Sequence, residues 1–209
     1  MSHDDFKFEP VRGLPEALPE GEVILWQGSP SPWRLACEAL NLRWIMGYFA
    51  LLAIWRVGVS SADWPLGVAI GHAMPLVVVG ALACLLIYAL AYIQAKSAVY
   101  TLTNKRVAMR IGAALTLTLN LPYVCIADAN LDLKKGGTGT IAFDLMGRTR
   151  FNFISTWPHA RPWHFSKTQP ALRCIPDAAR VAEIFAEAAD ARVSQPQIER
   201  LPTSAVAAE

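Results

Sequence analysis

The side chains with the greatest capacity for chemistry are four histidines, His3, His72, His159 and His164, and four scattered cysteines. His159 and His164 occur in the segment HARPWH, but their spacing fits no strong zinc pattern and no paired acidic ligand lies beside them. The cysteines form no CxxC pair, which is typical of buried thiols in a reducing compartment. No serine or cysteine forms a recognisable pair with a general base. The sequence therefore predicts a noncatalytic protein with no metal site.

His72 has the most distinctive setting of the four histidines, because it lies near the start of a long apolar segment. A histidine at this depth is a functional hypothesis by default. Its imidazole could ligate the magnesium of a bacteriochlorophyll, or it could bond to a neighbouring helix, to water or to backbone carbonyls. We retain pigment ligation as an alternative, and no cofactor is otherwise required.

His72 lies in one of two long apolar segments of the chain. Leu42–Val59 and Leu66–Ile93 approach or exceed the roughly 20 residues that cross a bilayer as a helix. We predict a hairpin over residues 40–95, with spans at about 42–59 and 68–93. Hydrophobic residues make up 54% of the chain and charged residues 17%, and these segments hold the excess. The net charge of +2 is too small to indicate a nucleic-acid-binding surface.

The basic residues lie on the outer flanks of the two spans, whereas the short connecting turn carries only Asp63. The positive-inside rule therefore predicts a multi-pass inner-membrane protein with both termini in the cytoplasm. The start of the chain lacks the apolar core of a signal peptide, so we expect the hairpin to be retained. The flanking basic residues are Arg34 and Arg43 before the hairpin, and Lys96, Lys105, Arg106 and Arg110 after it.

Alternating apolar residues predict short antiparallel strands in the region that follows the hairpin. We expect strands at 100–103, 107–111, 115–121, 124–133 with a break near 128–130, and 141–145, then a continuation at Phe151 and Phe153 and an edge segment with Trp163 and Phe165. Helical spacing then predicts an amphipathic helix from Pro176 to Arg192, which would cover one end of a bent sheet. The expected units are residues 1–39 as a cytoplasmic segment, 96–193 as the domain and 194–209 as a disordered tail.

Two segments rich in tryptophan and proline are candidates for binding a protein partner, since Trp and Arg are enriched at binding hot spots. The first, STWPHARPW, contains Trp157, Arg161 and Trp163, and we expect one of its tryptophans to fill the interior of the sheet. The second, near the N-terminus, contains Trp26 and Trp33. It could supply a strand to the sheet or act as a docking arm.

Two further sets of residues are candidates for contacts at the membrane. Lys105, Arg106 and Arg110 could contact anionic lipid headgroups, or they could be solvated. Small residues recur at Gly67, Gly71 and Gly80, which would allow close approach of another helix. Packing within the hairpin and contact with another protein are equally compatible with this pattern.

The segments YTLTNKRVAMRIG (100–112), LPYVCIA (121–127) and KKGGTGTIAF (134–143) resemble the bacterial pleckstrin-homology-like domain. This resemblance implies an α+β membrane protein in which a transmembrane hairpin precedes a PH-like bent antiparallel sheet or barrel, capped by a C-terminal helix. Such domains have many roles, so the fold does not identify a ligand.

The complete layout, including EPVRGLPEALPEGEVILWQGSPSPWRLA (9–36), is similar to the photosynthetic complex assembly proteins of purple phototrophic bacteria. That similarity implies an assembly factor in the intracytoplasmic membrane. Its partners would be subunits of the photosynthetic reaction centre, the light-harvesting 1 complex, membrane lipids and a second copy of itself. The alternatives are a membrane-anchored phospholipid-binding module and pigment handling through His72.

Overall fold

The computed structural model describes residues 11–113, 115–134, 136–147 and 151–194. Within these ranges the chain forms two long apolar helices and a domain of two antiparallel sheets followed by a C-terminal helix. The predicted α+β class and the C-terminal helix are therefore confirmed. The predicted disordered tail lies outside the described residues, apart from Ser194.

Helices α2 (Leu42–Ser60) and α3 (Leu66–Ser97) are long and apolar enough to cross a membrane. They pack against each other, and Gly80 of α3 lies so close to Phe49 of α2 that an added Cβ would be 2.7 Å from the phenylalanine Cβ. Within the apolar window of each helix, only 6% of α2 and 11% of α3 is buried. The outward faces of both helices are therefore large apolar surfaces.

A short helix, α1 (Pro32–Glu38), joins the helical pair to the domain. Its Leu35 is fully buried and packs with Ala95 of α3 and with Cys174 of the domain. The next residue, Ala36, packs with Leu42 at the start of α2 and with Ala91 of α3. Helix α1 thus packs between the C-terminal part of α3 and the strand that contains Cys174.

The first sheet contains β1 (Ile24–Gly28), β2 (Val99–Thr103), β3 (Arg106–Ile111) and β4 (Leu117–Pro122), in that spatial order. Only Ala98 separates the end of α3 from β2. Strand β1 pairs antiparallel with β2, so residues 24–28 of the segment that we predicted as a separate unit, residues 1–39, extend the first sheet.

The second sheet contains β5 (Ile126–Leu133), β6 (Gly139–Leu145) and β7 (Ala171–Ile175), again antiparallel. Helix α5 (Ala178–Val193) packs its apolar stripe against both sheets. Phe185 of this helix contacts the rings of Tyr123 and Phe143, with centroids 5.5 and 5.2 Å away. The main core therefore lies between the sheets and beneath α5.

The predicted strands up to residue 145 are found with end points within two residues, except that a 3-10 turn, Tyr123–Cys125, replaces the start of the strand predicted at 124–133. The register shift lies between Ile126 and Asp128, just before the break that we predicted near 128–130. The prediction fails beyond residue 145. Phe153 lies in a short helix, α4 (Phe153–Thr156), because the Asn152 side chain accepts a hydrogen bond from the Ile154 amide and caps it. Residues 163–165 form no strand, and the last strand is instead β7.

Candidate docking surface

The loop between α4 and β7 is attached to the domain by a buried histidine. His159 is 1% exposed, and its Nδ1 lies 2.5 Å from the hydroxyl oxygen of Tyr100. Burial lowers the pKa of His159 to about 3 and raises the pKa of Tyr100, so both groups are neutral near pH 7. Because Tyr100 lies three residues beyond α3, this hydrogen bond holds the loop close to the end of that helix.

Arg173 of β7 connects the same loop to α1. Its two terminal nitrogens donate to the backbone carbonyl of Pro158, at 3.3 Å, and to the backbone carbonyl of Glu38, at 3.4 Å. The side chain is 6% exposed, and it lies beside Cys174, whose thiol pKa is raised to about 12, mainly by burial. A thiol with this pKa is protonated near neutral pH and is a poor nucleophile. The buried polar groups therefore hold three segments together.

The outer side of the loop exposes large apolar side chains. Ring contacts join Phe153 to Phe165, with centroids 4.7 Å apart, and Phe165 to Trp163, with centroids 6.2 Å apart. The exposed fractions are 84% for Trp163, 81% for Ile154 and 61% for Phe165. We call Phe153, Ile154, Trp163 and Phe165 the aromatic patch. An exposed apolar cluster of this kind is characteristic of a contact surface.

The expectation that one tryptophan of this loop fills the interior is wrong. Trp157 is 42% exposed and Trp163 is even more exposed, whereas His159 occupies the buried position. Trp163 also has a positive φ of 65°, an uncommon conformation for a bulky side chain. Arg161 lies on the same loop, and its Nη1 donates to Gln169 Oε1 at 3.0 Å. Of the three predicted residues, Arg161 and Trp163 line one groove, and Trp157 is not among the residues that line it.

The N-terminal tryptophans occupy a different kind of position. Trp26 lies in β1 and packs against the main core, and Trp33 lies in α1 with its ring centroid 6.2 Å from that of Tyr88 in α3. We predicted that this segment either supplies a strand to the sheet or acts as a docking arm. The structure shows a strand, β1, which contains Trp26. Both tryptophans therefore contact the chain itself, although Trp33 remains 48% exposed.

The three predicted headgroup residues are held by the domain. Lys105 Nζ donates to the backbone carbonyl of Glu20 at 3.0 Å, and Arg106 Nε lies 2.8 Å from a carboxylate oxygen of Glu22. The side chain of Arg110 is only 4% exposed, because β2 and β4 flank it and the end of α3 packs beside β3. The burial of Arg110 gives no support to a headgroup contact there, and the contacts predicted for all three residues stay predictions.

The predicted helix-packing glycines fall into two groups. Gly80 contacts Phe49 within the helical pair, whereas an added Cβ at Gly67 or Gly71 would meet nothing within 4 Å. His72 is close to these residues, and its Nδ1 lies 3.3 Å from Ser60 Oγ at the end of α2. Its ring also packs edge-on against Trp64, with centroids 6.0 Å apart. The contacts of His72 with Ser60 and Trp64 thus stabilise the turn between α2 and α3.

Some residues of the site were missed from the sequence. Phe153 and Phe165 were interpreted as strand residues, and neither Ile154 nor Arg173 was singled out. The available signal was the pair of prolines at 158 and 162, which interrupts any strand pattern. Among the described residues, no group of three or more His, Cys, Asp or Glu side chains is placed to hold a metal ion. The surface of this loop therefore consists of exposed aromatic rings with cationic side chains nearby.

Comparison with known proteins agrees with this architecture. Residues 45–189 match the model of the family described as bacterial PH domain. The chain is 43% identical to a relative from Rhodobacter capsulatus, named an uncharacterized 23.7 kDa protein in the 5' region of puhA, over 99% of this chain and 98% of that one. No solved structure matches it. The chain belongs to the bacterial PH domain family.

Proposed function

We propose that this protein is a noncatalytic assembly factor for the photosynthetic reaction centre and the light-harvesting 1 complex. It resembles the assembly protein PuhB in its complete layout. In this role it binds reaction-centre subunits at the intracytoplasmic membrane while they are being assembled. The helical pair holds the protein in the bilayer, and the aromatic patch binds the client.

The observation that carries this proposal is where the relative is encoded, which is the 5' region of puhA. A protein that is 43% identical along nearly the whole chain is named for its place in the 5' region of puhA, a photosynthesis gene. Identity at this level along both chains supports a shared role. The family adds that the domain is of a generally noncatalytic type.

The exposed helical pair supports the membrane part of the proposal. Apolar side chains such as Leu51, Ile54, Leu82 and Leu85 are each at least 60% exposed, which water would disfavour by roughly 25 cal/mol for each Å² of apolar surface. A bilayer removes this cost, whereas the core helix of a soluble protein would be mostly buried. We propose that α2 and α3 both cross the membrane, with both termini in the cytoplasm and Asp63 on the opposite side.

The patch supports the binding part of the proposal. Trp163 and Phe165 present broad rings on a loop that His159 and Arg173 hold in place, so few degrees of freedom are lost on docking. Because the same contacts tie the loop to α1 and Tyr100, the patch stays near the helical pair. A client helix in the membrane and its cytoplasmic segment are then bound together, which raises their effective concentration.

Photocross-linking in native membranes tests the client surface. We would place a photoreactive amino acid at Trp163 or Ile154, and at Leu115 as a control, because Leu115 is 87% exposed on the β3–β4 connection. We expect reaction-centre subunits to be recovered, by mass spectrometry, from the first two positions and not from the third. Equal recovery from all three positions, or recovery of none, would contradict the proposed surface.

Reporter fusions test the membrane arrangement. Alkaline phosphatase is active only outside the cytoplasm, so we expect activity when it is inserted after Asp63 and none when it is fused after Ser194. Carbonate extraction provides the second measurement, and the protein should remain with the membrane. Release into the soluble fraction would remove the basis of the proposal.

A further inference from the structure

The two edges of the second sheet differ in how they are covered. At the β7 edge, the backbone carbonyl of Cys174 accepts a hydrogen bond from the Ser31 amide at 2.8 Å. The Arg173 amide at the same edge donates to the Tyr100 hydroxyl at 3.4 Å. At the opposite edge, β5 pairs only with β6 within the described part of the chain. An open edge presents backbone N–H and C=O groups that can pair with another strand, so β5 is available for strand addition.

A groove runs between the open edge of β5 and helix α5, and we call it the edge groove. Its volume is about 330 Å³, and residues 126–129 of β5 line it consecutively. Successive side chains of a strand point to opposite faces, so this consecutive lining places the groove along the strand edge. Ala182, Ala186 and Ala189 of α5 line the other side. Their small side chains leave room for an added strand between β5 and the helix.

The charged residues that line the edge groove are acidic. They are Asp128 of β5 and Asp190 of α5, and no lysine, arginine or histidine of the described residues lines it. Neither carboxylate forms an ion pair with another described residue. Asp128 accepts hydrogen bonds only from its neighbours, the Ala129 amide at 2.8 Å and the Asn130 side chain at 3.2 Å. Because interfaces match opposite charges, this groove favours a cationic partner.

Two occupants from the protein itself match these charges less well. The end of the chain, residues 195–209, contains one arginine against two glutamates. A second copy would bring its own β5, which contains two aspartates and no basic residue. Like charges opposite each other across a strand pair are destabilising. An extended segment with several lysines or arginines matches the groove better than either of them.

We propose that the edge groove binds an extended, basic cytoplasmic segment of another membrane protein, which adds as a strand to β5. Backbone hydrogen bonds along β5 provide affinity, and the basic side chains pair with Asp128 and Asp190. The class of partner follows from the positive-inside rule, because cytoplasmic segments next to membrane spans are enriched in lysine and arginine. This step rests on the membrane placement proposed above.

Fluorescence anisotropy with the full chain in nonionic detergent measures binding of a synthetic probe. The probe is a fluorescein-labelled peptide in which valine alternates with lysine and arginine, and its length matches the 8 residues of β5. A peptide with glutamate in place of the basic residues is the control. We expect the basic peptide to bind at least about tenfold more tightly than the acidic one. Equal affinities would contradict the charge match.

Two substitutions locate the binding site of the basic probe. Asp128→Asn and Asp190→Asn each remove one carboxylate from the groove with little change in shape. Each should weaken binding about threefold, as for a partly exposed ion pair. Glu183→Gln is the matched control and should leave the affinity unchanged, because Glu183 is an exposed residue of α5 that does not line the groove. Equal losses in all three variants would show that the probe responds only to overall charge, which would overturn the site.

Methylation of the probe's backbone nitrogens tests strand addition itself. Residues along one edge of a strand alternate with residues that face the other edge, so methyl groups at every second residue block one edge only. Of two probes methylated at alternate sets of residues, we expect one to lose at least about tenfold in affinity and the other to bind like the parent. Equal affinities of the two methylated probes would rule out pairing with β5.

A chain that ends at Ser194 tests the occupant from the same molecule. We expect this chain and the full chain to bind the basic probe equally well. If truncation strengthens binding about fivefold or more, residues 195–209 occupy the groove and the assignment to a partner is wrong. If the full chain is a dimer by light scattering and the probe dissociates it, a second copy is the occupant, and the assignment is again wrong.

These experiments are independent of the proposed function. None of the readouts involves a reaction-centre subunit or a bilayer, since the probe is a soluble peptide and the protein is in detergent. Failure of the probe to bind would overturn the strand-addition site and leave the assembly role and the membrane placement to their own tests.

Discussion

Two segments of this protein have similar compositions but different positions in the fold. The N-terminal segment, residues 11–38, and the loop at 151–170 each contain two tryptophans, several prolines and at least one arginine. The first contributes β1 to an open sheet edge and α1 to the junction with α3. The second is attached at His159 and exposes its rings. A segment rich in tryptophan and proline is therefore suited to making contacts. Whether those contacts are made with the same chain or with a partner depends on which parts of the fold lie beside the segment.

The largest effect on stability is expected at the junction of the N-terminal segment. Leu35→Ala removes a fully buried side chain from between Ala95 and Cys174 and leaves a cavity there. We expect a loss of about 3 kcal/mol in the free energy of unfolding. Urea unfolding of the full chain in nonionic detergent measures this value, with Ile154→Ala as the control in the exposed segment. A similar loss in both variants would remove the distinction between the segments.

The stability that the burial of His159 contributes to the exposed loop should depend on pH. Its pKa is about 3 in the folded state and near 6.5 in the unfolded state, because burial disfavours the charged imidazole. The unfolded chain therefore binds more protons between these values, and stability falls as the pH is lowered from about 6.5 toward 3. The expected slope is up to about 1.4 kcal/mol per pH unit.

The measurement is urea unfolding at several pH values in the wild type and in His159→Gln. The variant should show a shallower fall, because the titrating group is gone. His164→Gln is the control, since His164 is only partly buried. If the wild type and His159→Gln have parallel profiles, burial of His159 does not contribute to acid sensitivity.

A smaller effect is expected where the N-terminal segment crosses the sheet edge. Gln27 Nε2 donates to the backbone carbonyl of Arg12 at 2.8 Å and to Thr101 Oγ1 at 2.9 Å. Gln27→Ala should lower the free energy of unfolding by about 1 kcal/mol, as for a typical net hydrogen-bond contribution. Hydrogen exchange of the β1 amides provides a local readout, and unchanged exchange would show that these bonds do not hold the segment.

The smallest effect on stability is expected in the aromatic patch. Trp163 is 84% exposed and has a positive φ, which glycine adopts without strain. Trp163→Gly should change the free energy of unfolding by less than about 0.5 kcal/mol. Copurification of reaction-centre subunits should nevertheless fall about tenfold or more, as for a binding hot spot. Unchanged copurification would contradict the docking role of the patch.

The strands that were predictable have an alternating sequence. Strands β3, β4 and β6 carry apolar residues at every second position, which predicts a strand even though β3 and β6 are buried on both faces. Strand β7 could not be predicted in this way, since its sequence ALRCI shows no alternation. Arg110 shows the converse error. Its position in the alternation predicted an exposed side chain, but the end of α3 packs beside that strand.

The site was predictable in its residue types and not in its geometry. Trp163 and Arg161 were identified from composition, because aromatic and guanidinium groups are common at interfaces. Phe153 and Arg173 join them only through tertiary contacts, such as the hydrogen bonds from Arg173 to Pro158 and Glu38. Spacing along the sequence contains no information on contacts between residues that are 15 or 135 positions apart.

The length of α3 has a consequence for the proposed binding of a partner subunit. Its 32 residues extend about 48 Å, whereas the hydrocarbon layer is about 30 Å thick. Under the proposed membrane placement, the excess length, packed against α1 and followed by β2 after a single buried residue, would act as a spacer of fixed length. Under the proposed docking role, a subunit would then be bound only if its own surface reached the same height above the lipid.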